Sequence, residues 1–379
     1  MADRSNNAES SKAKPHWRRR AKRGCFTFLA IFLGLAAIEG TISILLFVYD
    51  AVYYTKRPLA ERQHTQYDDQ LGWVNVPETI AKDVYGQGRT VTINAQGFRA
   101  RREFADTVPG GKTRIICIGD SFTLGYGVGD ADTWCAQMEA SSKDLELLNM
   151  GQGGYGFDQA YLWYMRDGFK LDHDIHLVCL NYDQLDRMFY NTFFGYGKPT
   201  LKREGNQIVP NHVPIPVRAY YVPWLTQNAR LLESSRTVQL FARVFANQPR
   251  AGTVMSVEER DQLVDRAISE MASLNRTHGS RTVVVWFPTD EDCFTSRFDK
   301  VRGRTLQAAR DMQIPVIDLV ASFRSQPSDK LPRLFIQPDE VDVDYIGAEG
   351  HYTIEGNRFV AQRLVEELEK LGYIPAPSR

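Results

Sequence analysis

The sequence is poor in cysteine and carries no net charge, and each feature excludes a class of protein. Only five of its 379 residues are cysteines, and none of them form a C-x-x-C pair. That number and spacing suggest neither a disulfide framework nor a zinc site. Lysine plus arginine and aspartate plus glutamate number 46 each. No overall basic field therefore points to nucleic acid as a partner.

Long apolar runs are also scarce, and the longest lies near the N-terminus. Residues 1–23 are polar and end in a basic run, and residues 24–50 are apolar for long enough to span a bilayer as a helix. The cationic flank predicts an uncleaved, single-pass anchor in the cytoplasmic membrane, with the N-terminus in the cytoplasm and the remaining chain in the periplasm. A cleaved signal peptide is the alternative, but no clean A-x-A site precedes Glu39.

Glu39 is the one acidic residue in the centre of this apolar stretch. A carboxyl group at that depth is expensive, so it either has a partner or stays protonated and neutral. Both readings stay open from the sequence.

Beyond the anchor, the chain changes character twice. Residues 51–111 are rich in turns and contain a short alternating run, Thr90–Asn94, which predicts a β-rich collar. In residues 112–379, strand and helix patterns alternate, which predicts an α/β fold with a mainly parallel five-stranded sheet covered by helices on both faces. The predicted strands are Thr113–Gly119, Leu145–Asn149, Ile175–Asn181, Thr282–Phe287 and Ile314–Asp318.

Two helices and one insertion complete this plan. The capping pattern Ser256–Glu259 begins a helix over Val257–Arg276, and a last amphipathic helix follows Thr353. Residues 187–253 break the alternation and are rich in aromatic residues and proline. We interpret them as an insertion beside the active-site end of the sheet, serving as a lid or a substrate platform.

Two further motifs do not justify a cofactor or a metal. Gly151–Gly156 contains G-x-G-x-x-G, but it follows the second strand instead of the first, so a dinucleotide site is not favoured. Asp172–His176 fits no common zinc spacing and leads directly into a strand. We therefore expect neither a cofactor nor a metal.

Ser121 and His351 are the candidate catalytic residues. Ser121 follows an apolar strand pattern, and the carboxyl ends of parallel strands form the crevice in which open α/β sheets bind ligands. A strand running into an ordinary turn would look much the same. His351 lies on a loop just before the last helix, from which it can reach over those strand ends.

Four short blocks, taken in order, resemble the SGNH (GDSL-like) hydrolases. They are Gly119-Asp-Ser-Phe-Thr123, Asn149-Met-Gly-Gln-Gly-Gly154, Asn181-Tyr-Asp-Gln184 and Gly350-His-Tyr-Thr-Ile-Glu-Gly-Asn357. Residues 67–73 and 94–99 look like the segment that precedes the first block in membrane-anchored bacterial members. The resemblance implies a flavodoxin-like three-layer α/β/α sandwich.

The resemblance also implies a site. Ser121 matches the nucleophile, and His351 matches the general base. The oxyanion hole would consist of the N–H groups of Ser121 and Gly154 and the side chain of Asn181. A serine hydroxyl attacks an ester only when a base removes its proton, and histidine suits that task near pH 7.

The third and fourth blocks depart from the family pattern. In the third block Asn181 is followed by Tyr182, so Asp183 is an alternative for the oxyanion position. In the fourth block Ala348 occupies the place of the aspartate that orients the histidine. We predict that Glu349 takes that role and keep Asp344 as the alternative, because the third residue chiefly fixes the tautomer and orientation of the imidazole.

Together these features predict a serine-dependent esterase or O-acyltransferase that acts on an O-acyl ester of an envelope or exported glycan, outside the cytoplasmic membrane. Its partners would be an acylated carbohydrate, the membrane and the envelope polysaccharide machinery. The aromatic residues of the insertion would stack on sugar rings, or simply pack. The alternative is a catalytically degenerate protein of the same fold that binds glycan or assists assembly in the envelope.

Overall fold

The computed structural model describes residues 16–54, 64–193, 196–205, 207–215, 235–244, 254–338, 343 and 346–375. The chain divides into two compact units. One comprises Met1–Tyr53 and Val222–Ala246, and the other comprises Tyr54–Tyr221 and Asn247–Arg379.

Short strands predominate outside the central sheet of the larger unit. The strands are β1 (Thr65–Asp68), β2 (Gly72–Asn75), β3 (Thr79–Ala81), β4 (Val91–Ile93), β5 (Thr113–Gly119), β6 (Leu145–Gly151), β7 (Ile175–Leu180), β8 (Thr192–Phe193), β9 (Tyr196–Gly197), β10 (Thr200–Glu204), β11 (Gln207–Asn211), β12 (Arg281–Trp286) and β13 (Val316–Asp318).

The helices range from single turns to the long helix of the smaller unit. They are α1 (His16–Tyr54), α2 (Ser121–Leu124), α3 (Trp134–Ser141), α4 (Phe157–Arg166), α5 (Tyr182–Arg187), α6 (Arg236–Val244), α7 (Val257–Thr277), α8 (Asp290–Phe294), α9 (Asp299–Asp311), α10 (Val320–Arg324) and α11 (Ile354–Lys370).

Helix α1 contains the predicted apolar segment. Lys22–Tyr49 is long and apolar enough to cross a membrane, with a mean hydropathy of 2.3. The predicted N-terminal apolar helix is therefore present.

The central sheet confirms the predicted fold class. Five parallel strands lie in the order β6-β5-β7-β12-β13. Numbered along the chain, this is the 2-1-3-4-5 order of flavodoxin-like folds, in which ligands bind at the switch point beside the first strand. Here the switch point lies between β5 and β7, so residues that follow these two strands face one crevice.

Strand β5 shows why the sheet is covered on both faces. Ile116 and Ile118 belong to one apolar core together with residues of α4 and α7. Ile115 and Cys117 belong to a second core with residues of α3 and α11. Since successive side chains of a strand point to opposite faces, an unbroken apolar run requires a covering layer on each side. The three-layer sandwich follows.

The predicted helix starts are present. The Ser256 hydroxyl accepts a hydrogen bond from the N–H of Glu259 at 3.1 Å at the start of α7. The Thr353 hydroxyl accepts one from Gly356, also at 3.1 Å, at the start of α11. Such side-chain acceptors satisfy N–H groups that have no partner inside the helix.

The segment before the central sheet forms two antiparallel strand pairs, β1–β2 and β3–β4. Its side chains Tyr85 and Val91 share a third apolar core with Tyr126 and Ala348. Tyr126 follows α2, and Ala348 precedes His351 in the chain. The core therefore packs this segment against the residues that follow α2 and against those that precede His351.

The described start of the insertion is fixed to α4 by a buried ion pair. Lys198 Nζ lies 2.5 Å from a carboxylate oxygen of Asp158, and both side chains are fully buried. The ammonium also donates to the carbonyl oxygens of Arg187, Tyr190 and Pro199. Buried charges persist only when they are paired and hydrogen-bonded in this way. The strands β8–β11 are thus held on the α/β unit.

Candidate functional site

The end of β5 positions Ser121 at the switch point. Asp120 caps α2, and its carboxylate accepts a hydrogen bond from the N–H of Phe122 at 3.0 Å. Ser121 is the first residue of that helix and is only 3% exposed. A side chain on Gly119 would lie 2.2 Å from Thr123 Oγ1, so only glycine permits the tight turn that aims the serine.

His351 contacts Ser121 in the fold, although the two residues lie far apart in the sequence of the α/β unit. Its Nε2 lies 2.7 Å from Ser121 Oγ, although 230 residues separate the two. The ring of Phe122 stacks on the imidazole with centroids 4.4 Å apart. The structure therefore brings together the nucleophile and the base that the resemblance implies, at a distance suited to proton transfer.

The other imidazole nitrogen contacts a main-chain carbonyl. His351 Nδ1 lies 3.4 Å from the carbonyl oxygen of Glu349. A carbonyl oxygen can only accept, so this contact places the proton on Nδ1 and leaves Nε2 free to accept the hydroxyl proton of Ser121. The sequence-based prediction concerned the Glu349 carboxylate, whereas the side chain of Glu349 is exposed and the observed contact comes from its backbone. Asp344 lies outside the described residues.

The surroundings of Ala348 explain why no carboxylate occupies that position. Ala348 is fully buried in the apolar core that contains Tyr85, Tyr126 and Ile336. An aspartate there would place a charge in an apolar core, which is costly unless the charge is paired. Residue 348 therefore packs against the β-rich segment and supplies no carboxylate to His351.

Two main-chain N–H groups near Ser121 are available to a ligand. The N–H groups of Ser121 and Gly154 have no hydrogen-bond acceptor within the described part of the chain. Gly154 adopts a φ of +73°, a conformation that favours glycine. Preorganised donors of this kind stabilise the oxyanion of a tetrahedral intermediate.

Asn181 lies on the neighbouring strand end and is fully buried. Its Oδ1 accepts a hydrogen bond from the N–H of Gln184 at 3.0 Å and so caps α5. Its Nδ2 donates to Asp120 Oδ2, also at 3.0 Å, which leaves one amide hydrogen for a ligand. The Asp183 side chain is instead 48% exposed and lies 3.5 Å from Arg187. Asn181, and not Asp183, therefore lies beside Asp120 at the strand ends.

Two arginines that were not predicted as site residues hydrogen-bond to residues around Ser121. Arg187 Nη1 donates to Asp120 Oδ2 at 2.9 Å and to the carbonyl of Tyr155 at 3.1 Å. The guanidinium of Arg99 donates to the carbonyl oxygens of Leu124, Gly125 and Val128, which fixes the loop after α2. Arg99 lies in a segment that carried the family resemblance, whereas no sequence signal marked Arg187.

A cluster of three aromatic side chains, called the aromatic wall, lies beside Gly154. It comprises Trp73 of β2, Phe193 of β8 and Tyr196 of β9. The Trp73 ring centroid lies 6.3 Å from that of each partner. A side chain on Gly154 would approach the Phe193 ring to 2.5 Å. Trp73 Nε1 also donates to the carbonyl of Gly153 at 2.9 Å, so the wall is held against the glycine loop.

Burial sets the protonation state of the imidazole. It lowers the pKa of His351 to about 4. The hydrogen bond with the Glu349 carbonyl opposes that shift, and the positive charge of Arg187 adds to it. His351 is therefore neutral near pH 7, as a general base must be. Within the described residues, no group of three or more His, Cys, Asp or Glu side chains is placed to hold a metal ion.

The sheet order and the site define a flavodoxin-like α/β/α protein with a serine–histidine pair at its switch point. No family model and no curated protein match the chain. Among solved structures, a lipolytic protein of the G-D-S-L family from Veillonella parvula is similar, with 15% identity and a TM-score of 0.39 over 68% of this chain and 99% of its own.

Two other solved structures are similar to the same degree. The lipase/acylhydrolase from Enterococcus faecalis has 11% identity and a TM-score of 0.40 over 68% of this chain and 96% of its own. An acetyl xylan esterase has 12% identity and a TM-score of 0.39 over 67% of this chain and 99% of its own.

The low pKa of His351, about 4, predicts an acidic limit for any reaction in which this imidazole acts as a base. A lowered pKa means that the neutral imidazole persists to lower pH. We expect kcat/KM to stay constant down to about pH 5 and to fall below it as the imidazole protonates, with the pKa of His351 at about 4. Acetate release from a simple acetyl ester, followed across this range, measures the limit.

The variant Glu349→Gln serves as the control for this pH profile. Because the observed contact to His351 comes from the Glu349 carbonyl, the variant should retain both the rate and the acidic limit. A reduced rate together with a displaced limit would instead assign the orienting role to the carboxylate.

Proposed function

We propose that this protein is a serine-dependent ester hydrolase or O-acyltransferase. The observation that carries the proposal is the 2.7 Å contact between Ser121 Oγ and His351 Nε2. It lies at the carboxyl end of β5, where the fold binds ligands. An acyl transfer also needs hydrogen-bond donors for the oxyanion. The N–H groups of Ser121 and Gly154, which lack an acceptor among the described residues, can supply them.

The proposed reaction has two halves. His351 Nε2 takes the hydroxyl proton while Ser121 Oγ attacks the acyl carbonyl carbon, and the oxyanion meets the N–H groups of Ser121 and Gly154 and the amide of Asn181. Collapse of the intermediate breaks the ester bond, and the leaving alcohol takes the proton from His351. Water or a sugar hydroxyl then gives its proton to His351 and attacks the acyl-serine. Collapse of this second intermediate breaks the bond between the acyl group and Ser121 Oγ, and Ser121 Oγ takes the proton back from His351.

An acylated glycan is the substrate class that we favour. The aromatic wall stands beside the proposed oxyanion donor Gly154, and 36% of Tyr196 is exposed. Flat aromatic faces suit the apolar faces of sugar rings. We place the reaction outside the cytoplasmic membrane, because the basic flank of α1 predicts a cytoplasmic N-terminus. Four other aromatic residues of the insertion that could stack on sugar rings lie outside the described residues; they are Phe194, Tyr220, Tyr221 and Trp224.

The buried apolar environment of Ala348 favours one second candidate, a non-catalytic glycan-binding or assembly partner. A serine-reactive phosphonate separates the two. Stoichiometric labelling of Ser121 supports the enzyme. Intact glycan binding without labelling supports the partner.

Tyr196→Ala tests the glycan proposal. If the wall binds sugar rings, the variant should raise KM for acetylated xylan oligosaccharides about fivefold, since aromatic contacts contribute about 1 kcal/mol. The kinetic constants for p-nitrophenyl acetate should not change, because that ester has no sugar ring. Both substrates are measured with the purified full chain.

The matched control is Ile80→Ala, which removes an apolar side chain that is 65% exposed on β3. It should leave both substrates unaffected. An equal KM change for both substrates in Tyr196→Ala would show that the wall only supports the fold.

A further inference from the structure

Arg187 joins the segments that follow three neighbouring strands of the central sheet, β6, β5 and β7. It is the last residue of α5, which follows β7. Its Nη1 donates to Asp120 Oδ2 at 2.9 Å, directly after β5, and to the carbonyl oxygen of Tyr155 at 3.1 Å, after β6. Its Nη2 lies 3.5 Å from a carboxylate oxygen of Asp183 in the first turn of α5. One guanidinium therefore links all three segments.

The same three segments carry the proposed oxyanion donors. Ser121 follows Asp120 directly, and Gly154 precedes Tyr155 directly. Asn181 caps α5. Each donor is thus next to a contact of the guanidinium or on the helix that carries it. Since such donors act only when they are already at hydrogen-bond distance from the developing oxyanion, the relative placement of these segments decides how well the hole works.

Asp120 transmits the contact most directly. Its Oδ2 accepts hydrogen bonds from both Arg187 Nη1 and Asn181 Nδ2, at 2.9 and 3.0 Å, and its side chain is fully buried. Because the Asn181 amide is planar, the hydrogen bond to Asp120 also fixes the direction of the second amide hydrogen. A buried carboxylate that loses its cationic partner is left uncompensated. Without Arg187, the group that orients the amide is therefore unpaired.

The insertion covers the guanidinium. The Arg187 side chain is only 14% exposed and lies 5.0 Å from the centroid of the Phe193 ring in β8. The face of an aromatic ring attracts a cation, and a guanidinium is weakly hydrated enough to lie against it. Lys198 Nζ donates to the carbonyl oxygen of Arg187 at 3.2 Å. The insertion thus holds both the backbone and the side chain of Arg187.

We propose that Arg187 is a positioning residue of the oxyanion hole and that the insertion holds it in place. It acts on the donors through Asp120 and the carbonyl of Tyr155. This rests on the proposed ester hydrolase or acyltransferase function. The insertion then serves the chemical step itself, besides the sugar contact proposed for the aromatic wall.

Arg187→Gln tests this role with the purified full chain. We expect kcat for a simple acetyl ester to fall about 100-fold with little change in KM, because the oxyanion forms only in the transition state. The matched control is Arg304→Gln. Arg304 of α9 pairs with Asp265 of α7 at 2.5 Å and is 35% exposed. Its loss should leave kcat unchanged.

A double variant separates positioning from a general loss of structure. If Arg187 acts through Asn181, combining Arg187→Gln with Asn181→Ala should cost far less than the product of the two single losses. A residue that only maintains the fold lowers the amount of folded enzyme, and that loss is independent of the loss of a donor. Fully independent losses, or a near-native kcat in Arg187→Gln, would overturn the inference.

The pH profile gives a second readout. Burial is the main cause of the low pKa of His351, the positive charge of Arg187 adds to it, and Asp183 opposes it. The Tyr126 ring also packs against the imidazole, with centroids 5.2 Å apart. Without the charge of Arg187 the pKa of His351 rises, so the acidic limit of Arg187→Gln should move to higher pH.

Arg187→Lys keeps the charge but lacks the planar fork of the guanidinium. It should therefore keep the native acidic limit and recover only part of kcat. This variant also decides the matter if Arg187→Gln does not fold. A native kcat in Arg187→Lys would overturn the positioning role, because charge alone would then suffice.

The proposed function is checked separately on the native chain, by acetyl ester hydrolysis and by phosphonate labelling of Ser121. An active, labelled native chain with an unaffected Arg187→Gln variant rejects only the inference. A native chain that shows neither hydrolysis nor labelling rejects the proposed function and the inference together.

Discussion

Ser121→Ala is expected to lower kcat/KM for a simple acetyl ester by at least about 1000-fold, because no other group replaces an attacking nucleophile. The Ser121 side chain is almost fully buried at the first position of α2, and alanine fits there without a clash. The variant should therefore keep its melting temperature while acetate release falls. Both are measured on the same preparation.

The control exploits the fact that the serine and the histidine act as a unit. His351→Ala should cost about as much as Ser121→Ala, and the double variant should lose little more than either single variant. Losses that multiply in the double variant, or near-normal turnover without Ser121, would contradict the proposed mechanism.

Asn181→Ala is expected to reduce kcat about 100- to 1000-fold, the typical cost of removing one oxyanion donor. It also removes the cap of α5, so the free energy of unfolding should fall by about 1 kcal/mol. Saturation kinetics and urea unfolding separate the two effects, because a loss of about 1 kcal/mol leaves a native fold largely populated.

Two variants show whether the amide itself acts. Asn181→Asp keeps the cap of α5 but places a second carboxylate beside Asp120, so turnover should fall as far as in Asn181→Ala. Asp183→Asn alters an exposed side chain and should stay within about twofold of the native rate. A severe loss in Asp183→Asn with normal turnover in Asn181→Ala would transfer the oxyanion role to Asp183.

The sequence determined those features that depend on neighbouring residues. Apolar runs such as Thr113–Gly119 fix strands buried on both faces, and their alternation with helices fixes the parallel sheet. Ser256 and Thr353 fix the starts of two helices, because a cap bonds only three residues ahead. For the same reason the place of Ser121 at a strand end could be predicted before any contact was known.

Only the tertiary structure decided which groups meet at the site. The Glu349 carbonyl reaches His351 Nδ1, and Ala348 is apolar because the β-rich segment packs over it. Arg187 reaches Asp120 from the start of the insertion. The contacts of Arg187 and Ala348 join residues far apart in the chain, and the Glu349 contact comes from a backbone carbonyl, which carries no residue identity. No local pattern of residue types therefore records them.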